Sequence, residues 1–206
     1  MFEIKKISVL VLMIILSLGL SSCKDWEYDI VKDGVHFKKI RRSETGNILG
    51  YMTDNHNIQG FPCEKGWIHF KKNGQVRLLQ LSEDFMYKGT LLPAHSWYLL
   101  PYHEGVTGYT ISFPYHYKVQ GYLCRGSGGS KGIQTGFYEN GKLRSFFLPE
   151  DVIVDGVPCE ASIYVNVKLY KSGKIKSCKL AEEYQADGKT YKRGKFIEFD
   201  VNSKIK

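Results

Sequence analysis

Proline is scarce in this 206-residue chain, at 6 residues, and charged residues reach only 24%. Both figures argue against a collagenous, low-complexity or disordered chain. Signatures of metal and nucleotide chemistry are missing too. No Cys-x-x-Cys pair exists to hold zinc or to cycle a disulfide, and none of the six histidines sits in a His-Glu-x-x-His frame. The glycine-rich stretch Arg125–Gly132 lacks the Gly-Lys-Ser/Thr ending and following helix of a phosphate cradle, so it reads as a flexible insertion. No cofactor and no metal site is implied. Long hydrophobic runs are also lacking, because Ile7–Leu18 is the longest and is too short to cross a bilayer as a helix.

What is present in quantity is 14 Tyr, 11 Phe, 3 Trp and 21 Gly, with 43% hydrophobic residues overall. Aromatic residues and glycine turns favour sheets, and composition excludes helical bundles, coiled coils and multi-span membrane proteins. The formal charge is +8. Much of the excess lies in the last third, where Lys168, Lys171, Lys174, Lys176, Lys179, Lys189, Lys192, Arg193 and Lys195 interleave with strand residues. In a cell envelope this pattern reads as a solvated sheet face, or as a surface for lipid phosphates or acidic polysaccharides; nucleic acid is not an expected partner.

The amino terminus carries an address. Lys5 and Lys6 precede the apolar run, and Leu20-Ser21-Ser22-Cys23 closes it. That ending resembles the lipobox of bacterial lipoproteins, which implies that residues 1–22 are a cleaved signal peptide and that Cys23 becomes a lipidated first residue. Residues 23–33 then read as a lipidated tether and 34–206 as the folded domain. Lys24-Asp25-Trp26-Glu27-Tyr28-Asp29 is similar to the surface-export signals of some diderm bacteria. These resemblances imply an outer-membrane location in a bacterial envelope, lipid-anchored through Cys23, with surface exposure.

An internal repeat organises the domain. Tight turns are expected at Thr45-Gly46, Asn73-Gly74, Glu104-Gly105, Asn140-Gly141 and Ser172-Gly173, since Asn-Gly between apolar runs is a strong hairpin signal when both central residues take positive φ. A second glycine follows each by 14 to 16 residues, at Gly60, Gly89, Gly121, Gly156 and Gly188, and reads as a return bend; Gly34 starts the array. Pairing across a two-residue turn sets Phe70 opposite Arg77 and Ile68 opposite Leu79, giving one apolar face of Ile68, Phe70, Leu79 and Leu81. The same pattern gives Thr135, Phe137, Phe146 and Leu148, and Val167, Leu169, Cys178 and Leu180. The expected fold is therefore all-β: an antiparallel meander of repeated β-hairpins. The aromatic before the turn in Phe137-Tyr138-Glu139-Asn140-Gly141 and the recurrent bend glycines resemble MORN-type repeats. That resemblance implies an elongated or rolled sheet with a binding or scaffolding role and no catalytic residues.

Removing Cys23 leaves Cys63, Cys124, Cys159 and Cys178, and three of these fall three residues after a bend glycine. Equivalent atoms two strands apart are separated by about 9 to 10 Å. A disulfide needs about 7 Å or less, so buried reduced thiols are the expected state. The acid pairs Glu83-Asp84, Glu150-Asp151 and Glu182-Glu183 read as solvated corners. One unit, Leu91–Tyr117, departs from the pattern and gathers His95, His103, Trp97, Tyr98, Tyr102 and Tyr109. Trp97, Tyr98, Tyr102 and Tyr109 are the candidate ligand surface for a protein or glycan partner of a non-catalytic module. The alternatives are an envelope hydrolase using His95 or His103, or a purely structural subunit.

Overall fold

A computed structural model describes residues 26–101 and 107–206. The expected signal peptide, Cys23, Tyr102, His103 and the turn expected at Glu104-Gly105 lie outside the described residues. Strands β1 (Glu27–Lys32), β2 (Val35–Arg42) and β3 (Ile48–Met52) open the fold, and a short hairpin of β4 (His56–Ile58) and β5 (Phe61–Cys63) follows. Next come β6 (Gly66–Phe70) and β7 (Val76–Gln80), the hairpin β8 (Phe85–Tyr87) and β9 (Thr90–Leu92), then β10 (Trp97–Leu99) and β11 (Tyr109–Ser112). The alternation continues with the hairpin β12 (Tyr117–Val119) and β13 (Tyr122–Cys124), strands β14 (Thr135–Phe137) and β15 (Leu143–Phe146), and the hairpin β16 (Val152–Val154) and β17 (Val157–Cys159). It closes with β18 (Val167–Leu169) and β19 (Ile175–Lys179), the hairpin β20 (Tyr184–Ala186) and β21 (Lys189–Tyr191), and β22 (Phe196–Glu198).

The architecture is all-β and antiparallel, without a helix among the described residues. Twelve strands pair in chain order, β1-β2-β3-β6-β7-β10-β11-β14-β15-β18-β19-β22, as one open sheet. Between sheet strands the chain makes five short excursions, each a separate two-stranded hairpin. These hairpins form a second layer. Their inner residues Ile58, Cys63, Leu92, Val119, Cys124, Val154 and Cys159 share one buried cluster with Ile68, Leu79, Phe137, Phe146 and Leu169 of the sheet. Isolated bridges from Cys63 to Leu81 and from Cys159 to Leu180 tie hairpin ends to the sheet. A sheet with one apolar face must cover it, and the chain supplies the cover from within each repeat.

The two glycine classes exchange the roles expected of them. The bends Asp33-Gly34, Gln59-Gly60, Lys88-Gly89, Gln120-Gly121, Asp155-Gly156 and Asp187-Gly188 are the two-residue turns with both φ values positive, for example 54° and 83° at Gln59-Gly60. At Asn73-Gly74 only the glycine is left-handed, at 84°. There Gly74 N–H donates to Lys71 O and Lys71 N–H to Gln75 O, each at 2.8 Å, so the loop has three residues and ends in a glycine bulge. The turns at Gly46, Gly141 and Gly173 repeat this bonding. Asn73 and Asn140 are suited to it because their side-chain oxygens accept the N–H of Gln75 and Lys142.

The bulge corrects the register expected near the turn. His69 stands opposite Leu78, but Phe70 pairs with Val76 instead of Arg77. Ile68, Leu79, Leu81, Phe137, Phe146, Leu148, Leu169 and Leu180 are buried, whereas Phe70 is half-buried at the rim. Lys142 is exposed, while Lys71, Arg77 and Lys176 are only half-exposed.

Residues 27–32 also differ from the expected tether. Glu27–Lys32 pair with β2 through Asp33-Gly34, so the folded domain begins before Gly34. Ile30, opposite Phe37 and packed against the core, gives this strand its apolar anchor.

Candidate functional site

Two sets of side-chain bonds recur along the array and explain residues that might otherwise suggest chemistry. The first residue of a two-residue bend reaches across to the sheet turn that follows. Gln59 Oε1 accepts from Val76 N–H at 3.0 Å and its Nε2 donates to Gly74 O at 2.8 Å. Gln120 makes the same pair with Leu143 N–H and Gly141 O, and Asp155 accepts from Ile175 N–H. Each clamp satisfies backbone groups that the bulge removes from the ladder. The second set caps the short hairpins. Asn55, Asp84, His116 and Asp151 accept from backbone N–H groups ten residues ahead, at Lys65, Ala94, Gly126 and Ala161. The repeated acids at Asp84 and Asp151 are therefore hairpin caps. No cluster of metal-binding side chains occurs among the described residues.

Cysteines take a third repeated position. Cys63, Cys124 and Cys159 end the second strand of their hairpins, and all are free and buried with Cys178. Burial pushes the Cys63 thiol up to about 11 and the Cys124 thiol up to about 12. Cys159 is raised by its neighbour Cys178 and then by burial. Such thiols are poor nucleophiles at neutral pH.

Not every bend carries the clamp, which is made by Gln59, Gln120 and Asp155. At the bend before β10 the clamp position holds Lys88, whose ammonium cannot accept a backbone N–H. Its Nζ donates to Glu139 O at 2.6 Å, bridging to a distant sheet turn. Leu100 to Gly108 connects β10 to β11 where other units need a three-residue loop. Beside this break lies a cavity of about 230 Å³, lined by Lys71, Tyr87, Lys88, Tyr98, Tyr109 and Glu139 among others.

The structure separates the expected ligand surface. Tyr98 and Tyr109 do come together, with ring centroids 5.8 Å apart, but they are only 2% and 1% exposed. They correct the expectation of an exposed strip: both face the core, Tyr109 stacked on Phe137 at 4.9 Å and Tyr98 against Phe61 at 4.7 Å. Tyr87 completes the cluster edge-on to both rings. Trp97 precedes Tyr98 in the strand and so faces the other side of the sheet. Its Nε1 donates to Gly129 O at 3.0 Å, and Lys131 Nζ lies 4.6 Å from its ring. The glycine-rich stretch is thus laid across the outer face, further fixed by Ser127 N–H donating to Phe113 O.

Burial raises the Tyr98 and Tyr109 hydroxyls well above the usual phenol range, so both remain proton donors. Tyr98 Oη lies 3.3 Å from Tyr87 Oη, and the buried Tyr109 Oη has no hydrogen-bond partner among the described residues. An unsatisfied buried hydroxyl costs roughly 1–3 kcal/mol, which a ligand acceptor would relieve. His95 is elsewhere, its Nδ1 at 2.8 Å from Glu64 at an exposed corner, and the adjacent Ser96 is buried. Lys71, Tyr87 and Lys88 were not singled out by sequence, although Lys88 replacing Gln or Asp before a bend glycine is a visible signal.

The fold and site define an all-β array of sheet hairpins, each roofed by a smaller hairpin, with one interrupted unit. Comparison with known family models, with curated proteins and with solved structures returned no match.

Proposed function

We propose that the chain is a cell-envelope lipoprotein, anchored through Cys23, whose repeat sheet is a non-catalytic binding module for a glycan or protein partner. The observation that carries the reading is the contrast between repeated and unrepeated features. Asp84 and Asp151 recur as hairpin caps, Cys63, Cys124 and Cys159 as buried strand ends and Gln59, Gln120 and Asp155 as clamps, whereas Lys88 with the tyrosine hydroxyls stands beside a cavity. A cation and neutral hydroxyl donors suit a partner that offers carboxylate or hydroxyl oxygens, as an acidic glycan does. A glycan array comparing the protein with Lys88→Ala and Tyr87→Phe variants tests this. Capture of uronic-acid or sialic-acid glycans should fall at least about tenfold in the lysine variant, the scale of one charge-assisted hydrogen bond. Equal capture by all three proteins would move the site, and turnover of a bound glycan would make the protein a hydrolase.

A further inference from the structure

The outer face of the first four sheet strands carries a second unassigned surface. Cross-strand register aligns Tyr28 with Lys39, Lys39 with Tyr51, and Tyr51 with Trp67, a continuous row over β1, β2, β3 and β6. Trp26 folds onto the row, its ring 5.9 Å from Trp67, with Lys39 Nζ at 4.8 Å and the Arg41 guanidinium at 5.0 Å. Tyr28 is 62% exposed and Val31, farther along β1, 70%. The acids of this strand are not in the row: Glu27 pairs with the inward Ile40, and Asp29 sits at a left-handed kink 3.9 Å from His36.

From this surface we infer that the Trp26, Tyr28, Lys39, Arg41, Tyr51 and Trp67 face docks onto the headgroup layer of an anionic phospholipid membrane. The inference rests on the lipoprotein reading in one respect, the reach of the chain. Cys23 precedes Trp26 by three residues, which span at most about 11 Å when extended, so an acyl anchor at Cys23 brings the bilayer surface within reach of this face. Tryptophan and tyrosine with apolar bodies and polar edges partition to the membrane interface, and lysine and arginine beside them meet lipid phosphates. The ring geometry disfavours a sugar platform. Trp26 and Tyr51 lie at 52° and 82° to Trp67, so no flat aromatic strip exists, and cations already cover Trp26. Docking here would orient the sheet, outer face down, with the hairpin layer away from the membrane.

The test uses the full chain isolated from cells, mixed with phosphatidylethanolamine and phosphatidylglycerol vesicles that carry a headgroup nitroxide. Trp97→Phe leaves Trp26 and Trp67 as reporters, and Trp26→Phe/Trp67→Phe leaves Trp97. Strong quenching is expected in the first variant and weaker quenching in the second, because Trp97 lies two strands beyond β6 and is covered by the glycine-rich stretch. Lys39→Glu/Arg41→Glu in the Trp97→Phe background should weaken vesicle binding at least about tenfold, since each cation near an anionic surface is worth that order. Labelled palmitate on Cys23 reads the anchor separately. Palmitate incorporation without quenching of Trp26 and Trp67 overturns the docking face and leaves the lipoprotein reading intact. Absent palmitate overturns that reading, and the quenching by added vesicles still decides the face. Equal or stronger quenching of Trp97 also overturns it, as does a tryptophan response to soluble dextran in place of vesicles.

Discussion

The unit around β14 and β15 and the unit around β10 and β11 share a backbone plan but solve one problem differently. In the first, Gln120 spans from the roofing hairpin to the sheet turn and satisfies both Leu143 N–H and Gly141 O. In the second, the equivalent Lys88 turns to Glu139 O, the connection lengthens, and a cavity opens over Tyr87, Tyr98 and Tyr109. The regular unit spends its polar side chains on its own backbone. The interrupted unit sets a cation, bonded to only one carbonyl, beside a buried phenol that has no hydrogen-bond partner among the described residues.

Perturbing the regular unit should have the larger effect on stability. Phe137→Ala removes a fully buried ring stacked on Tyr109 and should cost about 3–5 kcal/mol, read as a lowered melting temperature. An unchanged melting temperature would mean that the inner face is misassigned. Next in size is an alkaline effect confined to the units that hold thiols, because Leu92 ends the hairpin of the interrupted unit where Cys63 and Cys124 end theirs. The folded state keeps Cys63 and Cys124 protonated up to about 11 and 12, against 9.0 for a free thiol. Stability is therefore fully present below about pH 9 and is lost as pH rises through the two folded values, on the order of 3 kcal/mol per thiol. Cys63→Ala/Cys124→Ala should flatten that decline in denaturation midpoints measured from pH 8 to 11.

Gln120→Ala strips a partner from two backbone groups and should cost about 1–2 kcal/mol. Lys88→Ala should cost less than about 0.5 kcal/mol, as an exposed contact does, while lowering ligand capture at least about tenfold. If the two variants lose equal stability, the distinction between the units collapses. The hairpin caps sharpen the comparison from the other side, since Asp84 in the interrupted unit and Asp151 in a regular one make the same bond. Asp84→Ala and Asp151→Ala should each cost about 1 kcal/mol, and the Asn variants of both positions should be nearly neutral because the amide oxygen still accepts.

The all-β class and the inward positions were legible because strand alternation and glycine spacing follow directly from backbone geometry. Ile68, Leu79 and Phe146 needed only the period of two. The second layer was not legible, since a three-residue strand such as Ile58 or Val154 leaves too short a pattern to show which sheet it joins. Turn chemistry misled in one respect: Asn73-Gly74 fits both a two-residue turn and the three-residue bulged loop, and the side-chain bond from Asn73 to Gln75 favours the latter. At the candidate site, Trp97 and Tyr98 could have been separated by alternation alone. The pairing of Tyr98 with Tyr109 required the β10–β11 register, and the cavity required the position of Lys88, which no local pattern sets.

The central claim is that three roofing hairpins pin the sheet turns through the first residue of their bends, Gln59, Gln120 and Asp155. Amide hydrogen exchange at Val76, Leu143 and Ile175 tests it most directly, because these N–H groups donate to Gln59, Gln120 and Asp155 side chains. The account predicts protection within about tenfold of a core strand amide such as that of Ile68, lost selectively at Leu143 in Gln120→Ala, as expected for amides that open only with the folded unit. Exchange of all three at the rate of an exposed turn would contradict it.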